Sequence, residues 1–253
     1  MSAAATKFAK ILPYCNLGRM KYDKALTLQE SLVQRQLSFS RNTTGDSPDN
    51  PLSSPDILLI VEHEPVYTVG IRSNEFTEID SAVLQAKGAD FHRTNRGGLI
   101  TFHGPGQLVA YPILNLQRYK PSIRWYVCQL EEVLIRTCRH FGVESGRTEN
   151  TGIWVERGKI AAIGLNCKKY ITSHGLALNC DTDLAWFDGI VPCGLPGLGV
   201  TSLSRELGRT IGMAQVLPIF LQKFVEVFDL ADVHEVSRDE VLRPMERVLA
   251  VER

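Results

Sequence analysis

The amino-acid sequence has no excess of either charge, because 28 Lys and Arg residues balance 28 Asp and Glu residues among 253. A general nucleic-acid binder carries a basic excess, so this balance disfavours nucleic acid as a partner. Long apolar runs are also missing, since the longest, residues 57–61, is far shorter than the span of a bilayer. We therefore expect no association with nucleic acid or membrane.

Paired cysteines are missing as well: six cysteines are present, and none forms a Cys-x-x-Cys pair. This pattern disfavours a disulfide framework and a structural zinc site, and we expect no bound metal. Lone cysteines are usually buried as small hydrophobic residues. We expect that state for Cys15, Cys128, Cys138, Cys167 and Cys180. Cys193 differs, because it lies between Pro192 and Gly194 in a turn-forming sequence.

Hydrophobic spacing predicts both helices and strands. Apolar residues recur every three or four positions, as on one face of a helix, in residues 22–37, 125–141 and 213–228. Strands are predicted at residues 57–61 and 66–69, around a Gly-Pro-Gly turn within 99–116, and as a hairpin of 152–155 and 159–165. Because helices and strands are mixed without strict alternation, we predict an α+β fold.

A polar stretch interrupts this pattern at residues 39–55, which are rich in Ser, Pro, Asp and Asn. Such a stretch buries too little apolar surface to order itself, so a mobile loop is predicted. We expect residues 1–12 to be a flexible N-terminus or the remnant of an import signal. Residues 13–230 are expected to form one folded domain, and residues 231–253 a C-terminal tail.

A glycine-rich segment, Arg96–Gln107, is the first candidate for a binding site. Paired glycines let the backbone approach a ligand closely, Arg96 offers a fixed charge, and His103 offers a tunable donor or acceptor. The segment is not a phosphate-binding P-loop, because no Gly-Lys-Ser/Thr follows it. From the residues alone, a glycine-rich hairpin with a structural histidine is an equally good interpretation.

Lys159 is the second candidate, at the start of the apolar strand predicted after Gly158. Such a lysine is usually a solvated charge on a sheet edge. If the strand runs into a pocket, partial desolvation favours the neutral amine and makes it a usable acid or base. His174 is a further polar candidate and is equally compatible with a structural role. Sequence spacing permits contact between Lys159 and Cys193 but does not show it.

Several blocks in register resemble one enzyme family, the octanoyl-acyl-carrier-protein:protein octanoyltransferases of lipoate biosynthesis. The blocks are EHEPVYT at 62–68, RGGLITFHGPGQL at 96–108, GKIAAIG at 158–164, SHGLALNC at 173–180, VPCGL at 191–195 and VTSL at 200–203. The resemblance covers roughly residues 13–230. The wording ITSHGLALNCDTDLAWF and IVPCGLPGLGVTSL is most similar to the mitochondrial members, so the resemblance implies a mitochondrial location.

This resemblance implies a fold shared with biotin and lipoate protein ligases, with a larger mixed β-sheet, packed helices and a smaller β-sheet. It implies an acyltransferase that moves an octanoyl group from octanoyl-acyl carrier protein to a lysine ε-amine. The implied acceptors are lipoyl domains of 2-oxoacid dehydrogenase E2 subunits and the glycine cleavage H protein. Because a thioester is already activated, no ATP or other cofactor is expected. Nothing in the sequence suggests a large exposed apolar seam, and we expect a monomer.

Residue roles also follow from the resemblance. Cys193 matches the nucleophile that accepts the acyl group, and Lys159 matches its acid and base partner. The matching substrate-binding positions are Arg96, Gly97, Gly98, Leu99, Ile100, Thr101, Phe102, His103, Ala162, Ile163, Gly164, Gly175, Leu176 and Ala177. The alternatives are an ATP-dependent lipoate or biotin ligase of the same fold, a non-catalytic scaffold that binds lipoyl domains, and a cysteine hydrolase.

Overall fold

A computed structural model describes residues 10–39, 56–72, 78–190 and 198–242. Three predicted features therefore lie partly or fully outside the described residues. They are residues 40–55 of the predicted loop, residues 1–9 of the predicted N-terminal segment, and Cys193. No helix in the described ranges combines the length and apolar character that crossing a bilayer requires.

Two β-sheets form the framework of the described residues. The larger sheet contains β1 (Ile11–Met20), β2 (Ile57–His63), β6 (Gln107–Ile113), β7 (Ile153–Val155), β8 (Gly158–Lys168), β9 (Ile171–Asn179), β10 (Gly199–Val200) and β11 (Asp232–Glu235). The smaller sheet contains β3 (Val66–Val69), β4 (Asp90–Arg93) and β5 (Thr101–His103). The helices are α1 (Tyr22–Phe39), α2 (Glu78–Gln85), α3 (Ile123–His140), α4 (Leu203–Leu207) and α5 (Met213–Phe228), with 3₁₀ turns at Leu116–Arg118 and Leu184–Gly189.

The larger sheet is mixed, with strand order β10-β8-β9-β6-β2-β1-β11 and β7 paired to the side of β8. Strands β2, β6, β9 and β8 are successively antiparallel, whereas β1 is parallel to both β2 and β11. The smaller sheet has the order β4-β3-β5. This arrangement confirms the predicted α+β fold with a larger mixed sheet and a smaller one.

Helices cover both faces of the larger sheet, so the first five residues of β2, 57–61, are apolar on both sides. Leu58 and Ile60 on β2 belong to the hydrophobic cluster under α3 and α5. Their neighbours Leu59 and Val61 point to the opposite face and pack in the cluster under α1. A strand buried on both sides is typically a continuous apolar run, which explains the sequence of residues 57–61.

The predicted elements are confirmed with one difference in their pairing. The helices at 22–37, 125–141 and 213–228 correspond to α1, α3 and α5, and the predicted hairpin is β7 with β8. Strands β5 and β6 do flank the Gly-Pro-Gly turn, but β5 pairs with β3 and β6 pairs with β2 and β9. The hairpin interpretation of this segment is therefore wrong, because the turn carries the chain from one sheet to the other.

Two of the cysteine predictions are also wrong. Cys15, Cys138 and Cys180 are buried as expected, but Cys167 is only partly buried and Cys128 is exposed. The reason for the exposure of Cys128 is helix geometry, since α3 buries a face that includes Tyr126 and Leu130. At 3.6 residues per turn, a residue two positions after Tyr126 lies on the opposite side of the helix.

The predicted C-terminal tail begins as part of the larger sheet. Strand β11 pairs in parallel with β1, from Ile11 with Asp232 to Tyr14 with Glu235. Val236 and Val241 then pack in the cluster under α1. The division between a domain at 13–230 and a tail at 231–253 stays a prediction, and residues after 242 lie outside the described ranges.

A buried ion pair holds the start of β2 against the start of β1. The Asp56 carboxylate is fully buried and pairs with the Lys10 ammonium, with the Arg118 guanidinium 3.7 Å away. It also accepts a hydrogen bond of 2.9 Å from the backbone N–H of Asn115. A buried carboxylate needs such partners, because removing its hydration is costly.

We predict that Asp56→Asn lowers the free energy of unfolding by about 2–4 kcal/mol, because it removes the charge that both cations face while keeping the side-chain shape. Urea unfolding followed by circular dichroism measures the loss. The matched control is Asp90→Asn, since Asp90 is exposed on β4. The control should change stability by less than about 0.5 kcal/mol. Equal effects of the two substitutions would contradict a stabilising role of the Asp56 cluster.

Candidate active site

A cavity of about 210 Å³ is lined by strands of both sheets. It opens above the face of the larger sheet that also packs against α1, because Val109, Tyr111 and Ala177 line the cavity and belong to that hydrophobic cluster. Thr101 and His103 on β5 contribute the wall from the smaller sheet. The cavity therefore lies where the turn after β5 joins the two sheets.

Twelve of the fourteen positions expected to bind substrate line this cavity: Arg96, Gly98, Leu99, Ile100, Thr101, His103, Ala162, Ile163, Gly164, Gly175, Leu176 and Ala177. The other two lie beside it. The backbone N–H of Gly97 donates to the Leu165 carbonyl at 2.8 Å, and Phe102 is fully buried with its ring stacked on Trp186. The roles of all fourteen in substrate binding stay predictions.

The cavity also has lining residues that the sequence reasoning missed. They are Tyr22, Arg72, Gln107, Val109, Tyr111, Glu149, Asn150, Thr151, Asn179, Phe187 and Val200. Most come from segments that carry no motif of their own, so only the tertiary structure reveals them. Four of them are exceptions, because Gln107, Asn179, Phe187 and Val200 lie within sequence blocks that carry the family resemblance.

The floor of the cavity is apolar in its middle part. Val109, Ala177 and Ala162 form a row across β6, β9 and β8, since Ala177 is the register partner of both others. The next row towards one end is Gly175 beside Gly164. Small side chains in the middle row leave free space above the sheet, which suits a narrow apolar ligand.

Gly175 has a different reason to lack a side chain. A Cβ built on Gly175 would lie 2.0 Å from the backbone oxygen of Ala110 on β6. No real Cβ tolerates such a contact with backbone, so glycine is required for the close approach of β9 to β6. The room above the sheet therefore comes from Ala162 and Ala177 rather than from this glycine.

The opposite end of the floor is polar and includes Lys159. This lysine is only 5% exposed and lines the cavity, so its interpretation as a solvated edge charge is wrong. Its Nζ lies 5.0 Å from the ring centroid of Trp154, a distance that permits a cation–π interaction. Gln107 and Asn179, which are register partners on β6 and β9, complete the polar end.

Gly152 fixes the path of the Lys159 side chain. Its φ of +114° is a conformation that residues with a Cβ rarely adopt. A Cβ at this position would lie 2.6 Å from Cε and 3.2 Å from Nζ of Lys159, and 2.6 Å from the Ala161 carbonyl oxygen. The absence of a side chain at Gly152 thus makes the space in which the Lys159 amine lies.

Two buried imidazoles, His103 and His174, line the cavity, and the buried ring of His63 lies 6.0 Å from that of His103. Burial lowers the pKa of His103 to about 3, with a smaller contribution from His63, and burial lowers the pKa of His63 to about 4. The pKa of His174 is lowered to about 4 by burial and by the nearby Arg96 charge. All three rings are therefore neutral at physiological pH. His174 also has a structural tie, since its Nε2 lies 2.7 Å from Oδ1 of Asn95.

Hydrogen bonds hold Arg96 against the smaller sheet. Its Nη2 donates to the Thr68 carbonyl at 2.6 Å, and its Nη1 donates to the Gly97 carbonyl at 3.0 Å. Arg96 as a whole residue is 7% exposed. Among the described residues no cluster of three or more His, Cys, Asp or Glu side chains is arranged to hold a metal ion.

Comparisons with known proteins agree on one family. Residues 21–225 match the family model for the lipoyl protein ligase A/B catalytic domain. A Danio rerio protein named octanoyl-[acyl-carrier-protein]:protein N-octanoyltransferase LIPT2, mitochondrial, is 52% identical over 214 residues, covering 85% of this chain and 91% of the relative. A Homo sapiens protein of the same name is 43% identical over 224 residues, covering 87% of this chain and 95% of the relative.

Among solved structures, a bipartite lipoate protein ligase from Thermoplasma acidophilum has a similar fold, with a TM-score of 0.68. The match covers 95% of this chain and 92% of the ligase at 15% sequence identity. At that identity the similarity concerns the fold alone. It confirms the predicted relation of the two-sheet architecture to lipoate protein ligases.

We predict that Gly152→Ala abolishes most of the activity at this site, because the new Cβ displaces the Lys159 amine and strains the backbone. Unfolding measurements should show a folded protein that has lost about 1–3 kcal/mol of stability. The control is Gly142→Ala, since Gly142 also has a positive φ but has no heavy atom within 4 Å of the added Cβ. Equal activity of the two variants would contradict a role for Gly152 in placing Lys159.

We also predict that stability falls as the pH decreases from about 6.5 to about 4. The folded pKa values of His63, His103 and His174 lie below the ordinary value of 6.5, so the unfolded chain binds protons first in this window. Urea unfolding at several pH values should show a slope of about 1.4 kcal/mol per pH unit for each proton taken up.

The test is the slope in the His63→Gln variant, which should be lower by one proton. Replacement of the exposed His140 by Gln is the matched control and should leave the slope unchanged. An unaltered slope in the His63 variant would contradict the assignment of a neutral, buried imidazole at this position.

Proposed function

Since the chain belongs to the lipoyl protein ligase A/B catalytic domain family, we propose how its cavity performs octanoyl transfer in protein lipoylation. The protein is an acyltransferase, and the octanoyltransferases that it resembles in sequence match most of its length. The names of the animal relatives place them in mitochondria, and we assign the same location to this protein.

The donor in this proposal is octanoyl-acyl carrier protein, and the acceptors are lysines on lipoyl domains, including those of 2-oxoacid dehydrogenase E2 subunits and the glycine cleavage H protein. The names of the relatives support the donor. A lipoyl domain appears with the structurally similar ligase from Thermoplasma acidophilum, which supports the acceptor class. Burial of Lys159 at the polar end of the cavity is the observation that carries the mechanism.

The apolar floor suits an octanoyl chain that starts at the polar end. Asn179 lies four residue steps along β9 from Gly175, which corresponds to about 13 Å of strand. An extended eight-carbon chain is roughly 9 Å long from its bond geometry. With its carbonyl beside Lys159, the chain lies over Ala162 and Ala177 and ends near Gly164. Each buried CH₂ group contributes about 0.8 kcal/mol to binding.

In the first step the Cys193 thiolate attacks the carbonyl carbon of the donor thioester. Lys159 takes the thiol proton beforehand and, as an ammonium, gives it to the carrier thiolate when the carbon–sulfur bond of the donor breaks. One thioester replaces another, so no ATP is consumed. Val200 supports the approach of the Cys193 segment to Lys159, because Val200 follows it by seven residues and is the register partner of Lys159.

In the second step the acceptor amine attacks the acyl-enzyme carbonyl, and the Cys193 thiolate leaves. The neutral Lys159 amine takes the proton that the attacking amine must lose, and it returns that proton to the thiolate. The product is an amide, and the enzyme is restored with both side chains in their starting protonation states.

Intact-protein mass spectrometry tests the proposal. We expect the wild-type protein, incubated with octanoyl-carrier protein without ATP, to gain one octanoyl group that hydroxylamine removes. Cys193→Ala should gain none, whereas Cys128→Ser, the matched control at an exposed cysteine, should behave as wild type. Lys159→Ala should keep its fold and slow acylation by about 10²–10⁴-fold.

Addition of a lipoyl domain should then move the octanoyl group to a lysine as a hydroxylamine-resistant amide. A strict requirement for ATP would favour the ligase alternative. Release of free octanoate in place of the amide would favour a hydrolase, and no acylation of any kind would favour a non-catalytic scaffold. Undiminished acylation of Cys193→Ala would overturn the assignment of the nucleophile.

A further inference from the structure

A chain of buried side-chain amides crosses the polar end of the cavity. Nδ2 of Asn179 donates to the Thr201 carbonyl at 2.9 Å, and Oδ1 of Asn179 accepts from Nε2 of Gln107 at 2.8 Å. Oε1 of Gln107 then lies 2.7 Å from Nδ1 of His103. Asn179 and Gln107 are 4% and 2% exposed, so these amides are withdrawn from solvent and depend on one another.

The direction of this chain is fixed at both ends by backbone carbonyls. The Thr201 oxygen can only accept, so Asn179 must present its NH₂ group there and its oxygen to Gln107. The Phe102 carbonyl also accepts from Nε2 of Gln107 at 3.3 Å, which requires the same orientation of the Gln107 amide. Oε1 of Gln107 therefore faces His103, and Nδ1 of His103 must carry the proton.

This orientation decides which nitrogen of His103 is available in the cavity. A neutral imidazole carries one proton, and burial keeps this ring neutral. With the proton on Nδ1, the Nε2 atom has a free lone pair and acts as a hydrogen-bond acceptor. His103 and Lys159 both line the cavity, so this acceptor lies on a residue of the same cavity as the lysine.

The other end of the amide chain holds the strand beside Lys159. Strand β10 contains only Gly199 and Val200, and Val200 is the register partner of Lys159. The backbone N–H of Thr201 donates to the Lys159 carbonyl at 3.0 Å, while its own carbonyl accepts from Asn179. Because a two-residue strand has few ladder hydrogen bonds, the bond from Asn179 is a large part of its attachment to the sheet.

We propose that Asn179 is a positioning residue for acyl transfer, which holds β10 against Lys159 and, through Gln107, presents Nε2 of His103 as an acceptor for the N–H of the attacking lysine amine. The proposal rests on the transfer reaction described above. It gives the second step an orienting contact in addition to the proton acceptor Lys159. A hydrogen bond from the attacking lysine amine to His103 restricts the orientations of the amine. Fewer orientations of its lone pair then have to be lost on attack, so the entropic cost of attack is lower.

Kinetics of the Asn179→Leu variant form the first test. Leucine has a similar shape but cannot donate to Thr201 or accept from Gln107. We expect kcat for octanoyl transfer to a lipoyl domain to fall about 10–100-fold, while KM for the lipoyl domain stays within about twofold. Gln107→Met should give the same pattern, since it breaks the next bond in the chain.

The matched control is Gln36→Leu, which removes another buried side-chain amide. The Gln36 amide donates to the Ile113 carbonyl at 2.9 Å, and Gln36 does not line the cavity. This variant should lose comparable stability and keep the kcat of the wild-type protein. Equal losses of kcat in Gln36→Leu and Asn179→Leu would show a general effect of destabilisation and overturn the positioning role.

Nitrogen-15 NMR of the histidine rings is the second test, and it uses the wild-type protein. We expect the His103 signals, assigned by comparison with His103→Gln, to show a protonated Nδ1 and an unprotonated Nε2 near neutral pH. In Asn179→Leu only the longer bond to the Phe102 carbonyl, 3.3 Å, still orients the Gln107 amide, so we expect a fraction of the His103 rings to carry the proton on Nε2. A wild-type ring protonated on Nε2 would overturn the proposal. This measurement needs no turnover, so its failure is separate from a failure of octanoyl transfer itself.

Discussion

Burial of the Lys159 side chain at one end of an otherwise apolar floor is the constraint on which the account of this site depends. A lysine side chain is normally solvated, and its position here requires that neighbouring groups leave a channel for it. Gly152 leaves that channel because it has no side chain, and the Trp154 ring provides one wall. The short β7–β8 hairpin brings both residues beside the lysine. Gly152 and Trp154 thus both border the space that the Lys159 amine occupies.

The cavity divides into a polar end and an apolar middle, and this division follows from the alternation of side chains along paired strands. Residues two positions apart on β6 and β9 share the cavity face, so Gln107 and Asn179 are followed by Val109 and Ala177. An octanoyl thioester is divided in the same way, into a polar, reactive carbonyl group and an apolar hydrocarbon chain. The proposed reaction accordingly uses the polar end for proton transfer and the apolar row for the hydrocarbon chain.

Much of the fold could be predicted from sequence, because the long helices and central strands have clear hydrophobic periods. Around the Gly-Pro-Gly turn the sequence predicts two strands correctly but predicts their pairing wrongly. Local sequence does not specify which sheet a strand joins. The predicted burial of Cys128 is wrong because an apolar helical pattern does not reveal how wide the buried face of the helix is. Val109 lies outside every motif block, and its place in the site arises from its register with Ala177. Asn179 lies in the SHGLALNC block, but only its register with Gln107 places it at the polar end of the cavity. The sequence of the strand that begins with Lys159 is compatible with a solvated charge on a sheet edge and with an amine inside a pocket. Only the burial of Lys159 in the folded chain separates these two alternatives.

The most direct test of the account is a crystal structure of the protein trapped after incubation with octanoyl-carrier protein. The account predicts electron density for an octanoyl thioester on Cys193, with its carbonyl beside the Lys159 amine. The hydrocarbon chain should lie over Ala162 and Ala177 and end near Gly164. Density for the chain outside this cavity, or acylation of a different residue while Cys193 stays free, would contradict it.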